Sequence, residues 1–178
     1  AYGFRRQFQK AIRIATAREA MLKKENAGPE KWGIHYYTLI YIYAAQDKVD
    51  DIGRVANETL KLLTEDQCME YAVALNAKAF WQYAKSHLEE ARETLSKARA
   101  LHDEAHNFFG LSYCEWIYSA VLSGMGRNEE AIKSLKLALN KTESGVGTSV
   151  AAGAVIAAYL AEALYEKNCV AEAEMLLS

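Results

Sequence analysis

Along nearly the whole chain, apolar residues return every three or four positions, and no long run alternates apolar with polar. The helical period therefore dominates. The pattern predicts helices at about 3–25, 30–46, 48–63, 66–85, 87–105, 108–125, 128–142, 148–167 and from 169 to the end, with no sheet. A self-comparison adds a longer period. An apolar-x-x-Ala signature occurs at Phe8-Ala11, Val49-Ile52 (Ile in place of Ala), Leu88-Ala91, Asn128-Ala131 (with a polar first member) and Val170-Ala173. Successive first members lie 41, 39, 40 and 42 residues apart, so a repeat near 40 spans the chain.

Ahead of these signatures stand Asp47, Ser86, Gly126 and Asn168, residues that suit helix N-caps or tight turns. Three positions later, Asp50, Glu89 and Glu129 would meet the positive end of the helix dipole, and Ser86 with Glu89 would form a capping box. Thr64 with Gln67 reads as a second box. Each unit is then a helix A, a tight turn and a helix B. Leu95, Leu135 and Leu177 follow the anchor residues by four, and Ala98 and Ala138 continue the same face. Ala79, Ser119 and Ala161 stand at matched positions in the A helices, and small residues on facing surfaces allow helices to approach closely. The joints between units fall at Asn26-Ala27-Gly28-Pro29, Thr64-Glu65-Asp66, His106-Asn107 and Glu143-Ser144-Gly145-Val146-Gly147.

These residues resemble tetratricopeptide (TPR) repeats, most closely at Ala157, Leu160, Ala161, Leu164, Ala173 and Leu177, and less fully at Tyr118, Ser119, Leu122, Ala131 and Leu135. The longer period and the absence of a closing proline depart from the usual repeat. The expectation is an all-α, right-handed superhelix, an α-solenoid of TPR-like helix-turn-helix repeats over residues 1–178, with roughly four and a half helical pairs. Longer repeats with phrases such as Leu164-Tyr165-Glu166-Lys167-Asn168 and Ala171-Glu172-Ala173-Glu174 resemble the superhelical domain of MalT-type, ATP-dependent LuxR-family transcription regulators. That resemblance implies a non-catalytic sensing domain that binds a small-molecule effector or a regulatory protein. The alternative is a plain scaffold holding a peptide or helix of a partner. The chain opens without Met and stops within a helical pattern, and it reads as a fragment of a longer protein.

Charge narrows the partners. With 21 Lys and Arg against 23 Asp and Glu, the net charge is -2, and no basic excess is available to displace counterions from a nucleic acid. Ser144 to Ala161 carries no charge, but it is rich in small residues and too short for a membrane span, so it reads as a buried helix. Cys68, Cys114 and Cys169 are dispersed and odd in number, which fits a reducing cytoplasm better than a disulfide framework. They and His35 read as packing residues. Val170, Met175, Leu176 and Leu177 would lack a following repeat and could support self-association.

No phosphate loop, dinucleotide-binding, metalloprotease or nucleophile-elbow motif occurs, and no cofactor is expected in this segment. His102 and His106 share a helix face near Asp103 and Glu104, but zinc needs a third ligand. The expectation is that both complement the negative end of a helix dipole. The mixed charges of Ser86 to Asp103 read as a solvated face. The aromatic residues concentrate in the A helices, which line the concave side of TPR-like solenoids. Tyr37, Tyr41, Asn76, Phe80, Tyr83, Trp116, Glu162 and Tyr165 are the candidate ligand- or partner-binding residues, with rigid aromatic rings as the anchors.

Overall fold

The computed structural model describes residues 2–144 and 150–177, all helix and turn, with no strand among them. In chain order the helices are α1 (Tyr2–Lys24), α2 (Pro29–Ala44), α3 (Val49–Leu62), α4 (Cys68–Ala84), α5 (Leu88–Glu104), α6 (Phe108–Gly124), α7 (Asn128–Ser144), α8 (Val150–Glu166) and α9 (Val170–Leu177). α7 runs on through Ser144, two residues into the expected joint. Positions 145–147 of that joint, and the side chains of Cys68 and Leu177, lie outside the described residues.

Four of the five signatures mark helix starts. Val49, Leu88, Asn128 and Val170 are the first residues of α3, α5, α7 and α9. Their anchors Ile52, Ala91, Ala131 and Ala173 are buried, as are Leu95, Leu135, Ala98 and Ala138. The Phe8-Ala11 signature instead falls inside the continuous helix α1.

The residues ahead of these helices are not N-caps. Asp47, Ser86, Gly126 and Asn168 all have positive φ, between 55° and 75°, so they close the preceding A helix in the left-handed conformation. In each turn the next amide reaches back five residues: Lys48 N–H to Tyr43 O, His87 to Gln82, Arg127 to Leu122 and Cys169 to Leu164, all at 2.8–3.0 Å. The left-handed residue itself donates to Ala44, Tyr83, Ser123 or Tyr165. Asn26 and His106 use the same paired bonds between units. The Ser86–Glu89 box is accordingly not formed: Ser86 is spent on the turn, and the α5 N-cap is His87, without a side-chain bond. Glu89 pairs with Arg92 instead. Half of the Thr64–Gln67 box exists, the Gln67 side chain accepting the Thr64 N–H at 3.4 Å. Side-chain capping appears at Asn107, whose Oδ1 accepts the Gly110 N–H at 2.9 Å.

Each helix packs on its neighbours in sequence, and α2, α4, α6 and α8 also pack on one another in series. No described helix packs on one further than two along, the arrangement of a solenoid and not of a closed bundle. The core is accordingly strung out in patches: around Leu39, Ile52 and Val55, around Leu95, Cys114 and Val121, and around Leu135, Ile156 and Leu160. Small residues permit the approach. Ala79, Ser119 and Ala161 are buried, and a Cβ on Gly53 of α3 would run into the Trp81 indole of α4. At the far end, Val170 and Met175 are exposed while Leu176 packs against α8. Cys114 is buried, but Cys169, in the turn just before α9, is exposed and so is not a packing residue.

The turns yield a direct test. Gly126 has open space where a Cβ would stand, so Gly126→Ala isolates the backbone cost and should destabilise by about 1 kcal/mol. Ser86→Gly should stabilise by a smaller amount, and urea denaturation of both variants checks the pair.

Candidate functional site

The shared turn fixes which residues are equivalent. Tyr43, Gln82, Leu122 and Leu164 supply the same accepting carbonyl. Six residues before them stand Tyr37, Asn76, Trp116 and Ala158, two before stand Tyr41, Phe80, Ala120 and Glu162, and one after stand Ala44, Tyr83, Ser123 and Tyr165. The eight candidate residues thus occupy three recurring places on the A helices.

The structure gathers most of them along one groove. Between α2, α4 and α6 lies a cleft of about 250 Å³ whose walls include Ile40, Tyr41, Val73, Asn76, Phe80 and Trp116, with Asp47 at its edge. Trp116 also lines the next cleft, of about 270 Å³, with Tyr83, Tyr159, Glu162 and Glu166. Tyr37 extends the wall toward α1, its ring 4.8 Å from that of Tyr41, in an open depression with Phe8 and Ala11. Burial and its bond to Tyr37 push the Tyr41 phenol well above its ordinary range.

Tyr165 is the exception, lining neither cleft. It stands where Tyr83 stands on α4, but Tyr83 is half-covered by α6, reaching the vicinity of Gly124, whereas no further A helix lies against α8 among the described residues. Tyr165 is consequently 68% exposed.

Sequence reasoning passed over Tyr113 and Tyr159. Both touch Trp116, Tyr113 edge-on at 6.4 Å and Tyr159 stacked at 5.3 Å with the planes 15° apart. Phe80 approaches the same indole at 6.0 Å. The signal was present in the helical spacing, since Tyr113 is one turn from Trp116 and Tyr159 one turn from Glu162.

Under the first cleft, Asn76 joins three helices. Its Nδ2 donates to the Gly110 carbonyl at 3.0 Å and lies 3.0 Å from His102 Nε2. A carbonyl can only accept, which fixes the amide orientation, makes Nε2 an acceptor and leaves the His102 proton on Nδ1. Asn76 Oδ1 and His102 Nδ1 have no protein partner. A Cβ on Gly110 would collide with the His102 ring, so only glycine admits this contact. Burial drives the His102 pKa down to about 4. The ring is therefore neutral and does not serve as a cation at the end of α5, contrary to the dipole reading. His106 lies past the helix, in the turn. Among the described residues no three His, Cys, Asp or Glu side chains converge on a metal-sized site.

An ion pair between a buried carboxylate and a half-buried arginine lies away from the groove. Glu115 accepts from Arg99 Nε at 2.6 Å and from Ser134 at 2.9 Å, and Arg99 lies over the Tyr118 ring at 4.7 Å. Burial nevertheless outweighs both partners and raises the Glu115 carboxyl above its ordinary value.

No protein-family model matches the chain, and no curated protein sequence does either. Solved structures do. Two crystal structures of the nearly identical TPR-like repeats of a protein assigned as a kinesin light chain from Podosopora anserina, one of them a variant, align over 99% of this chain and 86% of theirs. Their TM-scores are 0.68 and 0.65, each with 17% sequence identity. At that identity the likeness establishes the fold, an α-solenoid of TPR-like repeats. Among the described residues no helix is long and apolar enough to cross a membrane.

Two outcomes follow from the groove and the chamber beneath it. Trp116 is half-buried against Phe80, Tyr113 and Tyr159, so Trp116→Ala should cost about 1–3 kcal/mol, below the range for a fully buried aromatic. Tyr165→Ala should stay within about 0.5 kcal/mol of wild type, and chemical denaturation separates the two. His102 should remain neutral in the folded protein down to about pH 4, as followed by NMR. Between that value and the ordinary one, the unfolded chain takes up the proton and the folded chain does not. Its contribution therefore weakens the fold as pH falls from about 6.5 toward 4. His35, also lowered by burial, acts in the same direction. Glu115 acts in the opposite one, because its raised pKa lets the folded state hold the proton more readily.

Proposed function

We propose that the chain is a non-catalytic docking scaffold that holds a segment of a partner protein, extended or helical, along its concave face. TPR-like repeats generally serve as protein interaction scaffolds. The observation that carries the reading here is the run of aromatic side chains from Tyr37 and Tyr41 through Phe80 and Trp116 to Tyr159, all on A helices and opening into adjoining clefts. Rigid rings supply contact area at small entropic cost, and clefts beside them receive side chains.

A second reading comes from the resemblance to MalT-type LuxR-family regulators, in which the same surface would sense an effector within a larger cytoplasmic transcription factor. The cleft between α2, α4 and α6, about 250 Å³, approaches the size of small-molecule pockets, on the order of 300 Å³ and upward. An effector would act by favouring one conformation of the larger protein over another.

Selection of peptides from a random library on the purified chain tests the scaffold reading, with Ala44→Trp and Ala120→Trp as variants that fill the two clefts. Selected peptides should lose at least about ten-fold in affinity on these variants while helicity and melting are retained. Undiminished binding would place the interaction elsewhere. A metabolite that raises the melting temperature of the wild type, but not of Ala44→Trp, would favour the effector reading.

A further inference from the structure

The charges around the groove are one-sided. The side chains lining its two clefts include the carboxylates of Asp47, Glu162 and Glu166 but no lysine or arginine. The same holds along the helices that form the far wall, since α6 and α8 contain no Lys or Arg at all. Lys31 of α2 and Lys78 of α4 line neither cleft, and most basic residues of these repeats sit instead on the B helices: Arg54 and Lys61 on α3, Arg92, Lys97 and Arg99 on α5, Lys133, Lys136 and Lys141 on α7. Most of those are already paired, as in Arg54 with Asp51 and Glu58, Arg92 with Glu89, Lys97 with Glu65 and Lys136 with Glu172. Glu162 and Glu166 make no ion pair among the described residues, although a net charge of only -2 leaves many cations in the chain. Most of the named B-helix cations are therefore already neutralised, and the carboxylates of Glu162 and Glu166 are not.

The groove is also graded. Its first cleft is almost wholly apolar, walled by Ile40, Val73, Phe80, Trp116 and Ile117. The second, across the shared Trp116, combines Tyr83 and Tyr159 with Glu162 and Glu166. An apolar side chain suits the first. A guanidinium suits the second, because it pairs with carboxylates through a planar fork and lies against aromatic faces at little desolvation cost. From these placements we infer that the occupant of the concave face is a basic, apolar peptide segment of a partner protein, which seats a large apolar side chain in the cleft between α2, α4 and α6 and an arginine in the adjoining cleft beside Glu162 and Glu166. The inference rests on the scaffold reading and gives its partner a chemistry.

Three synthetic peptides with the same apolar residues, whose remaining positions are Arg and Ser, Glu and Ser, or Ser alone, separate the two levels. Binding is read by fluorescence anisotropy. The Arg peptide should bind roughly ten-fold more tightly than the Ser peptide, and the advantage should fade as salt is raised. The Glu peptide should bind most weakly. In the double variant Glu162→Gln with Glu166→Gln, the Arg peptide should lose its advantage and bind no more tightly than the Ser peptide. Both substitutions are at exposed positions, and circular dichroism verifies that the variant keeps its helicity. If the Ser or Glu peptide binds as well as the Arg peptide, or the double variant keeps the preference, the inference is overturned. The scaffold reading survives that result provided Ala120→Trp still weakens binding. If no peptide binds, or if Ala120→Trp leaves all binding unchanged, both fall together.

Discussion

The architecture depends on the left-handed residue that ends each A helix. Two backbone bonds at that residue, one from it and one from its successor, satisfy carbonyls that a helix end would otherwise leave unpaired. They also fix the direction in which the next helix departs. Because Asp47, Ser86, Gly126 and Asn168 close with the same bonds, every A helix presents its faces in the same phase relative to its B helix. The anchors Ile52, Ala91, Ala131 and Ala173 are then buried at equivalent places, and the inner wall stays in register along the series. A polar or glycine residue is needed at that place because a β-branched side chain would raise the cost of positive φ.

Much of this was legible in the chain, and the reason is local. Helix period, the repeat near 40 and the small-residue faces all arise from contacts within a unit and its neighbour, so one stretch of sequence carries them complete. The turn residues show the boundary of that legibility. Ser86 followed three positions later by Glu89 satisfies the composition of a capping box, yet the same residue at the end of an A helix closes a left-handed turn. Which role prevails depends on whether the helix before it is already complete, and a spacing rule for the helix after it does not register that.

The groove was legible in part for a similar reason. Tyr41, Asn76, Phe80 and Trp116 stand at recurring places and line one cleft, while Tyr113 and Tyr159 belong to the wall through contacts between units. Tyr165 occupies the right place in its own helix but has no neighbouring A helix to complete a cleft. His102 shows the strongest departure. Its spacing from His106 suggests a shared polar face, but the glycine at 110, a unit boundary away, opens the space that buries it. A helix-dipole argument assumes a solvated cation, and burial removes the charge on which it depends.

Asn76 connects these levels. It lines the apolar cleft, yet its amide hydrogens are committed to Gly110 and His102, and so it ties α4 to α5 and α6 directly beneath the surface where a partner would lie. The equivalent positions hold Tyr37, Trp116 and Ala158, none able to make the same three-helix connection. Repetition of the backbone thus leaves the side chains free to differ, with one unit spending this position on internal order and the next spending it on an aromatic wall. The change from Phe80 to Glu162 at another recurring place moves the groove from apolar to acidic along its length. A segment lying against that gradient has a preferred direction, because reversing it would set apolar side chains against Glu162 and Glu166 and bring a buried cation to Val73 and Ile117. Polarity of docking therefore follows from the order of the units and not from the shape of any one of them.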